Sequence, residues 1–373
     1  MSLKTKKILI IVSVILALVF VGLAIYYFFF KEKPTIVPPG AGGEVPIFTG
    51  EVTPQAERKL IALTTEAVLG ANGGDDNKIV YVAWDGAINK IDFKGQAKEK
   101  LGVIAADRIG RAEVSKNGAR VLVKQTLASG QNRFVVFDSD KKSLRSLPQN
   151  TQTAALSPDG GEVLMLVPGT KSFEKNIISL DSSGKNINIA TTKIPDLVLE
   201  WPGDKFIALK TKPSGLAFGL LYLLDPKTKK TERIFGSAYG LTVKFSQSNK
   251  NLLYSQTQSS GFGLKLAALD LAKKTVKNLN IFTLPEKCAW SQDDRTVYCS
   301  VIKTEESYVM PDDYYKGKIE SSAEEIVKMN LDTGENKKII SANFDASNLF
   351  LSKDETYLFF INKKDGRLYR LTL

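Results

Sequence analysis

The chain has 373 residues, 43% hydrophobic and 24% charged, a balance that belongs to globular proteins rather than disordered ones. Its 51 Lys and Arg outnumber 40 Asp and Glu, for a formal net charge of +11, without an Arg-rich cluster or a nucleic-acid recognition motif. It holds no histidine, which excludes Ser-His-Asp triads, histidine acid–base chemistry and His-ligated metals.

Residues 8–30 contain no charge, and 17 of these 23 are Leu, Ile, Val or Phe. At about 1.5 Å per residue, a helix of that length spans roughly 35 Å, enough to cross a hydrocarbon core with modest tilt. A cleaved signal peptide would have a shorter apolar run followed by small residues. Here Phe28, Phe29, Phe30 and Lys31 follow instead. The segment is therefore expected to be an uncleaved transmembrane helix, with residues 1–7 as a short cytoplasmic tail. Lysines stand on both sides of it, so charge alone sets little orientation. Residues 31–57 are rich in Pro and Gly and have no helical apolar period, as in a semi-rigid linker.

The rest of the chain repeats. "VSKNGARVLV" from Val114, "LSPDGGEVLM" from Leu156, "LEWPGDKFIA" from Leu199, "FSQSNKNLLY" from Phe245, "WSQDDRTVYC" from Trp290 and "LSKDETYLFF" from Leu351 align without gaps. Their starts are 42, 43, 46, 45 and 61 residues apart. Each reads as a strand end, a polar turn and an apolar strand. An alternating strand ending in Asp follows, at Asp138, Asp181, Asp225, Asp270 and Asp332, and then a fourth short strand. A less regular unit precedes these six. The last unit reaches the chain end with only three strands, and "RKLIAL", 58–63, is a spare one. The expectation is an all-β, seven-bladed β-propeller of four-stranded antiparallel blades over 58–373, closed by strand 58–63 on the last blade.

"LSPDGGEVLML", "FSQSNKNLLYS" and "WSQDDRTVYCS" resemble the repeats of TolB-like, WD-repeat-like propellers of bacterial envelopes. That resemblance implies a propeller held outside the cytoplasmic membrane, with the amino terminus in the cytoplasm. It leaves the ligand open, because propellers host many functions.

Cys288 and Cys299 flank the turn of the sixth unit symmetrically, which makes them cross-strand neighbours. They are read either as a disulfide, at home in an oxidising compartment, or as two small apolar core residues. The long spacing marks an insertion over 303–325, between the second and third strands of that unit. It carries Tyr308, Asp312, Asp313, Tyr314 and Tyr315, read either as a binding loop or as a loop packed on its own blade. Trp84, Trp201 and Trp290 lie in or beside the repeat hairpins, as packing residues do. No cofactor or metal is expected.

The leading functional expectation is a non-enzymatic binding or scaffold propeller at the membrane, docking protein or cell-envelope polymer on its loop face. Nucleic acid is not an expected partner. The alternatives are a propeller lyase or hydrolase using carboxylates and tyrosines at the channel mouth, or a structural part of a secretion, pilus or division assembly.

Overall fold

The computed structural model describes residues 60–73, 76–105, 108–304, 306–319 and 323–373. The expected tail, membrane helix and linker lie outside the described residues. Among the described residues, no helix is long and apolar enough to cross a membrane.

Seven four-stranded antiparallel sheets form the fold. Blades 1 to 6 occupy 68–103, 108–146, 153–192, 197–239, 242–278 and 288–342, each a simple meander. Blade 7 takes three strands from 346–372 and its fourth, Leu60–Ala62, from the start of the described chain. Leu60, Ile61 and Ala62 pair with Leu371, Arg370 and Tyr369, and Leu63 donates its N–H to Leu368 O at 2.8 Å. This pairing closes the ring and covers the edge strand of blade 7.

Burial follows strand order. Middle strands such as Thr296–Ile302 are buried throughout, whereas fourth strands such as Ser143–Ser146 are exposed throughout. Apolar side chains interlock between adjacent blades: Leu122, Phe134 and Val136 of blade 2 meet Leu156, Val163 and Met165 of blade 3. In a meander, the turns alternate ends. Turns joining strands one to two and three to four form one face, called here the hairpin face. Turns joining strands two to three, and the links between blades, form the opposite connector face.

Two side-chain devices build the hairpin face. Ser115, Ser157, Ser246 and Ser352 sit buried at the start of the first turn, and each hydroxyl accepts the N–H five residues on. Three of these hydroxyls donate to the Asn or Asp two residues on, at Asn117, Asp159 and Asp354. Gly160, at φ +71, supplies the left-handed residue that such a turn needs. In the second device, the residue ending the third strand accepts two turn N–H groups. Asp92, Asp138, Asp181, Asp225 and Asp270 all do so.

The structure differs from the sequence reading at two places. In blade 6 the third strand ends at Asn330, whose side chain takes the turn N–H groups of Asp332 and Thr333. An Asn oxygen accepts as an Asp oxygen does, so Asp332 is displaced from that role. In blade 4 the first hairpin turns at Asp204 and Lys205, with Gly203 paired to Phe206 and a bulge between Glu200 and Gly203. The gapless alignment from Leu199 is therefore two residues out of register with the other blades.

Candidate functional site

The 303–325 insertion rises on the connector face and is stitched to its neighbours. It contains one short helix, Asp312–Tyr315. Met310 and Tyr314 are buried with Leu264, Leu284 and Ile302 in a small apolar cluster, and Tyr308 packs half-buried against it. Met310 donates its N–H to Gly261 O in blade 5 at 2.8 Å. The Asp312 carboxylate accepts from Gly215 N at 2.6 Å and Ser214 Oγ at 3.1 Å in blade 4. Gly215 permits that approach, since a Cβ there would stand 2.2 Å from Met310 O. Asp313 accepts from Val309 N within the loop and pairs with Lys318 at 3.2 Å. Tyr315 is 51% exposed, and its hydroxyl donates to Glu286. Of the five residues singled out in the sequence, Tyr314 thus points into the fold, the two aspartates fix the loop, Tyr308 lies between, and Tyr315 faces outward.

Beneath this loop lies a buried charge cluster joining blades 6 and 7. The Lys287 ammonium, fully buried, contacts Glu324 at 2.8 Å, Asp345 at 2.7 Å and Ala346 O at 2.7 Å. Glu324 also accepts from Ser300 Oγ at 2.6 Å and Ala346 N at 2.9 Å. Burial pushes the Glu324 carboxyl above its usual range, and Lys287 opposes that. The Tyr314 ring lies 5.4 Å from the Lys287 ammonium and 4.0 Å from that of Lys363. In blade 6, Cys288 and Cys299 are cross-strand partners joined by a disulfide, both fully buried in the core shared with blade 5.

Exposed apolar side chains divide sharply between the faces. Trp84, Phe173, Leu216, Phe218, Phe262 and Tyr315 are 50%, 85%, 62%, 57%, 40% and 51% exposed. Five of them lie in links between second and third strands, in blades 1, 3, 4, 5 and 6, and Phe218 opens the third strand of blade 4 next to such a link, so all six belong to the connector face. The other large hydrophobics exposed to this degree, Ile61, Val103, Leu144, Ile187 and Val276, lie on outer strands. Among the described residues, the hairpin-face turns hold none.

The central cavity lies at the other end. It measures about 330 Å³ and is ringed by first strands of all seven blades and the beginnings of their hairpin turns. Asn72, Glu113, Ala155, Glu200, Lys244, Ala289 and Phe350 each pair with the third residue of their blade's second strand, forming one layer. All of these except Ala155 line the cavity, together with Arg111, Lys116, Trp201, Gln247 and Trp290. The Lys244 ammonium donates to Cys288 O and, at 3.0 Å, to Leu349 O. Burial lowers its pKa to about 8, with Lys116 adding a like-charge push. Burial also lowers Lys116 and raises Glu113. Glu113 and Lys244 escaped the sequence reading because the aligned segments begin one position after them, and the blade 4 bulge shifts Glu200 by two. The charges of Glu113 and Lys244, each one position before the apolar residue of a Ser-turn, were the available signal.

No protein family and no curated protein matches this sequence. Three solved structures are compared with it. The tricorn protease superposes with a TM-score of 0.54 at 14% identity over 84% of this chain, which spans only 34% of the protease. Oligogalacturonate lyase from Vibrio parahaemolyticus gives 0.59 at 9% identity, covering 84% of this chain and 93% of the lyase. TolB from Acinetobacter baumannii gives 0.46 at 13% identity, covering 84% and 64%. The chain therefore shares a fold with part of a protease and with a lyase, and at such identities the likeness extends to fold alone.

Proposed function

We propose that this protein is a non-enzymatic docking propeller, anchored outside the cytoplasmic membrane, whose connector face receives a protein partner. One observation carries the reading: six exposed apolar side chains, five of them aromatic rings drawn from Trp, Phe and Tyr, gather on that face while the hairpin face has none. Exposed apolar groups collected on one surface mark interaction sites, and stiff aromatic rings lose little freedom on contact. The insertion props up this surface, with Asp312 and Met310 holding the loops of blades 4 and 5 that carry Leu216, Phe218 and Phe262. The anchor draws support from the uncharged run 8–30, and the outside placement from the disulfide.

The test replaces Phe218 and Phe262 with Asp in the full chain, with Lys141→Glu on the hairpin face as control. Crosslinking in the native host followed by mass spectrometry should lose the captured proteins in the first variant and keep them in the second. Equal capture by both would sink the reading.

Catalysis is the second reading, favoured by Glu113 and Glu200 facing one cavity with Lys244. No tyrosine is among the residues lining that cavity, so a tyrosine acid or base there would have to come from elsewhere. Turnover of a substrate that vanishes in Glu113→Gln, with the thermal midpoint retained, would favour it over docking.

A further inference from the structure

More cationic than acidic side chains line the central cavity. Arg111, Lys116 and Lys244 face Glu113 and Glu200 there. Glu200 is already bridged by Lys210, from the second strand of its own blade. Glu113 accepts from Leu156 N at 3.3 Å and stands 3.9 Å from Arg111, and burial pushes its carboxyl toward the neutral form. The acidic side is thus largely committed.

The cationic side is not. An ammonium has three N–H bonds. Lys244 uses two on carbonyls of blades 6 and 7, and Lys116 uses one on Gln247 Oε1 at 3.0 Å. Among the described residues, that leaves one N–H on Lys244 and two on Lys116. The Trp201 indole N–H, on the same wall, is buried and has no acceptor among the described residues. A buried donor left without an acceptor costs free energy, about 1–3 kcal/mol by the usual measure. Lys116 comes from blade 2 and Lys244 from blade 5, so two like charges converge from well-separated blades of the ring. An anion between them would relieve their repulsion and supply the missing acceptors.

We propose that the hairpin-face end of the channel binds a small oxyanion, held between Lys244 and Lys116 with Trp201 as a third donor. The site is independent of the connector face, and a cavity of about 330 Å³ suits a ligand of metabolite size. Its chemistry is that of several oxygens bearing more than one negative charge, supplied by a phosphate or by a polycarboxylate.

The experiment uses the full chain in detergent micelles at constant ionic strength. Inorganic phosphate and citrate are titrated separately against sodium chloride, with tryptophan fluorescence as the readout, since Trp201 and Trp290 line the cavity. A saturable change with either anion, absent with chloride, is expected. A response to phosphate alone identifies a phosphoryl ligand, and a response to citrate alone a carboxylate one. Loss of one charge-assisted contact should weaken binding roughly tenfold or more in Lys116→Gln. Lys244→Arg should retain binding and Lys244→Met abolish it. Lys244 also ties three blades together, so Lys116→Gln, at a turn position outside the strands, carries the test if Lys244→Met fails to fold. No saturable response to either anion, or equal affinity in wild type and Lys116→Gln, overturns the proposal.

Discussion

The two faces of this propeller are built by different means. The hairpin face is assembled from short-range contacts: a serine bonding the N–H five residues on, and an aspartate bonding those two to four on. The connector face relies on contacts far apart in sequence. Asp312 reaches Ser214, 98 residues away, and Lys287 reaches Asp345, 58 away. The first kind recurs, as one device or the other, in most blades and gives a regular rim. The second kind gives one irregular region over blades 4 to 7, where the exposed Phe218, Phe262 and Tyr315 stand. Local chemistry makes the frame here, and long-range chemistry distinguishes one sector from the rest.

The largest break of that contrast should come from Lys287→Met. It leaves Glu324, 1% exposed, without its cation under the insertion. Removing one partner of a buried ion pair costs about 3–5 kcal/mol. Denaturant unfolding should show that loss, and Glu324→Gln in the same chain should restore part of it. If Lys287→Met unfolds at the wild-type midpoint, the connector face does not depend on this cluster.

Next comes the disulfide, which closes the hairpin of blade 6. Replacing Cys288 and Cys299 with Ala together should lower stability by about 2–4 kcal/mol. Since both positions are buried, cavity formation adds to the lost crosslink. Mild reductant acting on the wild type separates the two, because it breaks the bond and keeps the sulfur atoms. Unchanged stability in reductant would assign the whole effect to packing.

Acid should act on the hairpin face. Backbone N–H groups hold the Asp92, Asp225 and Asp270 carboxyls below their usual range, and Ser183 does so first for Asp181. Ser352 and Thr356 hold Asp354 down to about 2. The folded values lie below the unfolded ones, so these bonds stabilise fully above the unfolded carboxylate value of about 4. Their contribution fades as pH falls from there toward about 2. Hydrogen exchange followed from pH 5 to pH 3 should show hairpin-face turns losing protection before the connector links. Simultaneous loss on both faces would remove the distinction.

The smallest effect should fall on the cavity. Raising pH from 7 to 9 discharges Lys244, whose value is about 8, among Lys116, Arg111, Glu113, Glu200 with its partner Lys210, and Glu286 outside the cavity lining. Oxyanion binding should weaken by about tenfold across that range, read by the same fluorescence titration. Tighter binding at pH 9 would remove Lys244 from the contact.

What could be read in the sequence follows the same division. The serine and aspartate turns recur at fixed spacing, so seven meanders are visible in the residues alone, as is the pairing position of Cys288 with Cys299. Asn330 escaped because the alignment sought Asp, although either side chain offers the accepting oxygen. Blade 4 escaped because its bulge adds positions that a gapless comparison cannot hold. The insertion showed itself only as excess length. Which of its tyrosines turns inward depends on Leu264, Leu284 and Ile302, and their proximity to Tyr314 exists only after the ring has formed. The cavity charges were hidden for the same reason, being side chains from separate blades that meet across an axis.

The ring's seam has a consequence for biosynthesis. Leu60 is hydrogen-bonded in a ladder with Leu371, so one of the earliest propeller residues to leave the ribosome waits for one of the last. Until then blade 7 lacks a strand and the circle stays open. A chain that stops before the last strand of blade 7 lacks Leu368 and Leu371, both fully buried, and with them the latch. Quality control could thus recognise incomplete synthesis by a single unlatched sheet, whatever the state of the other six.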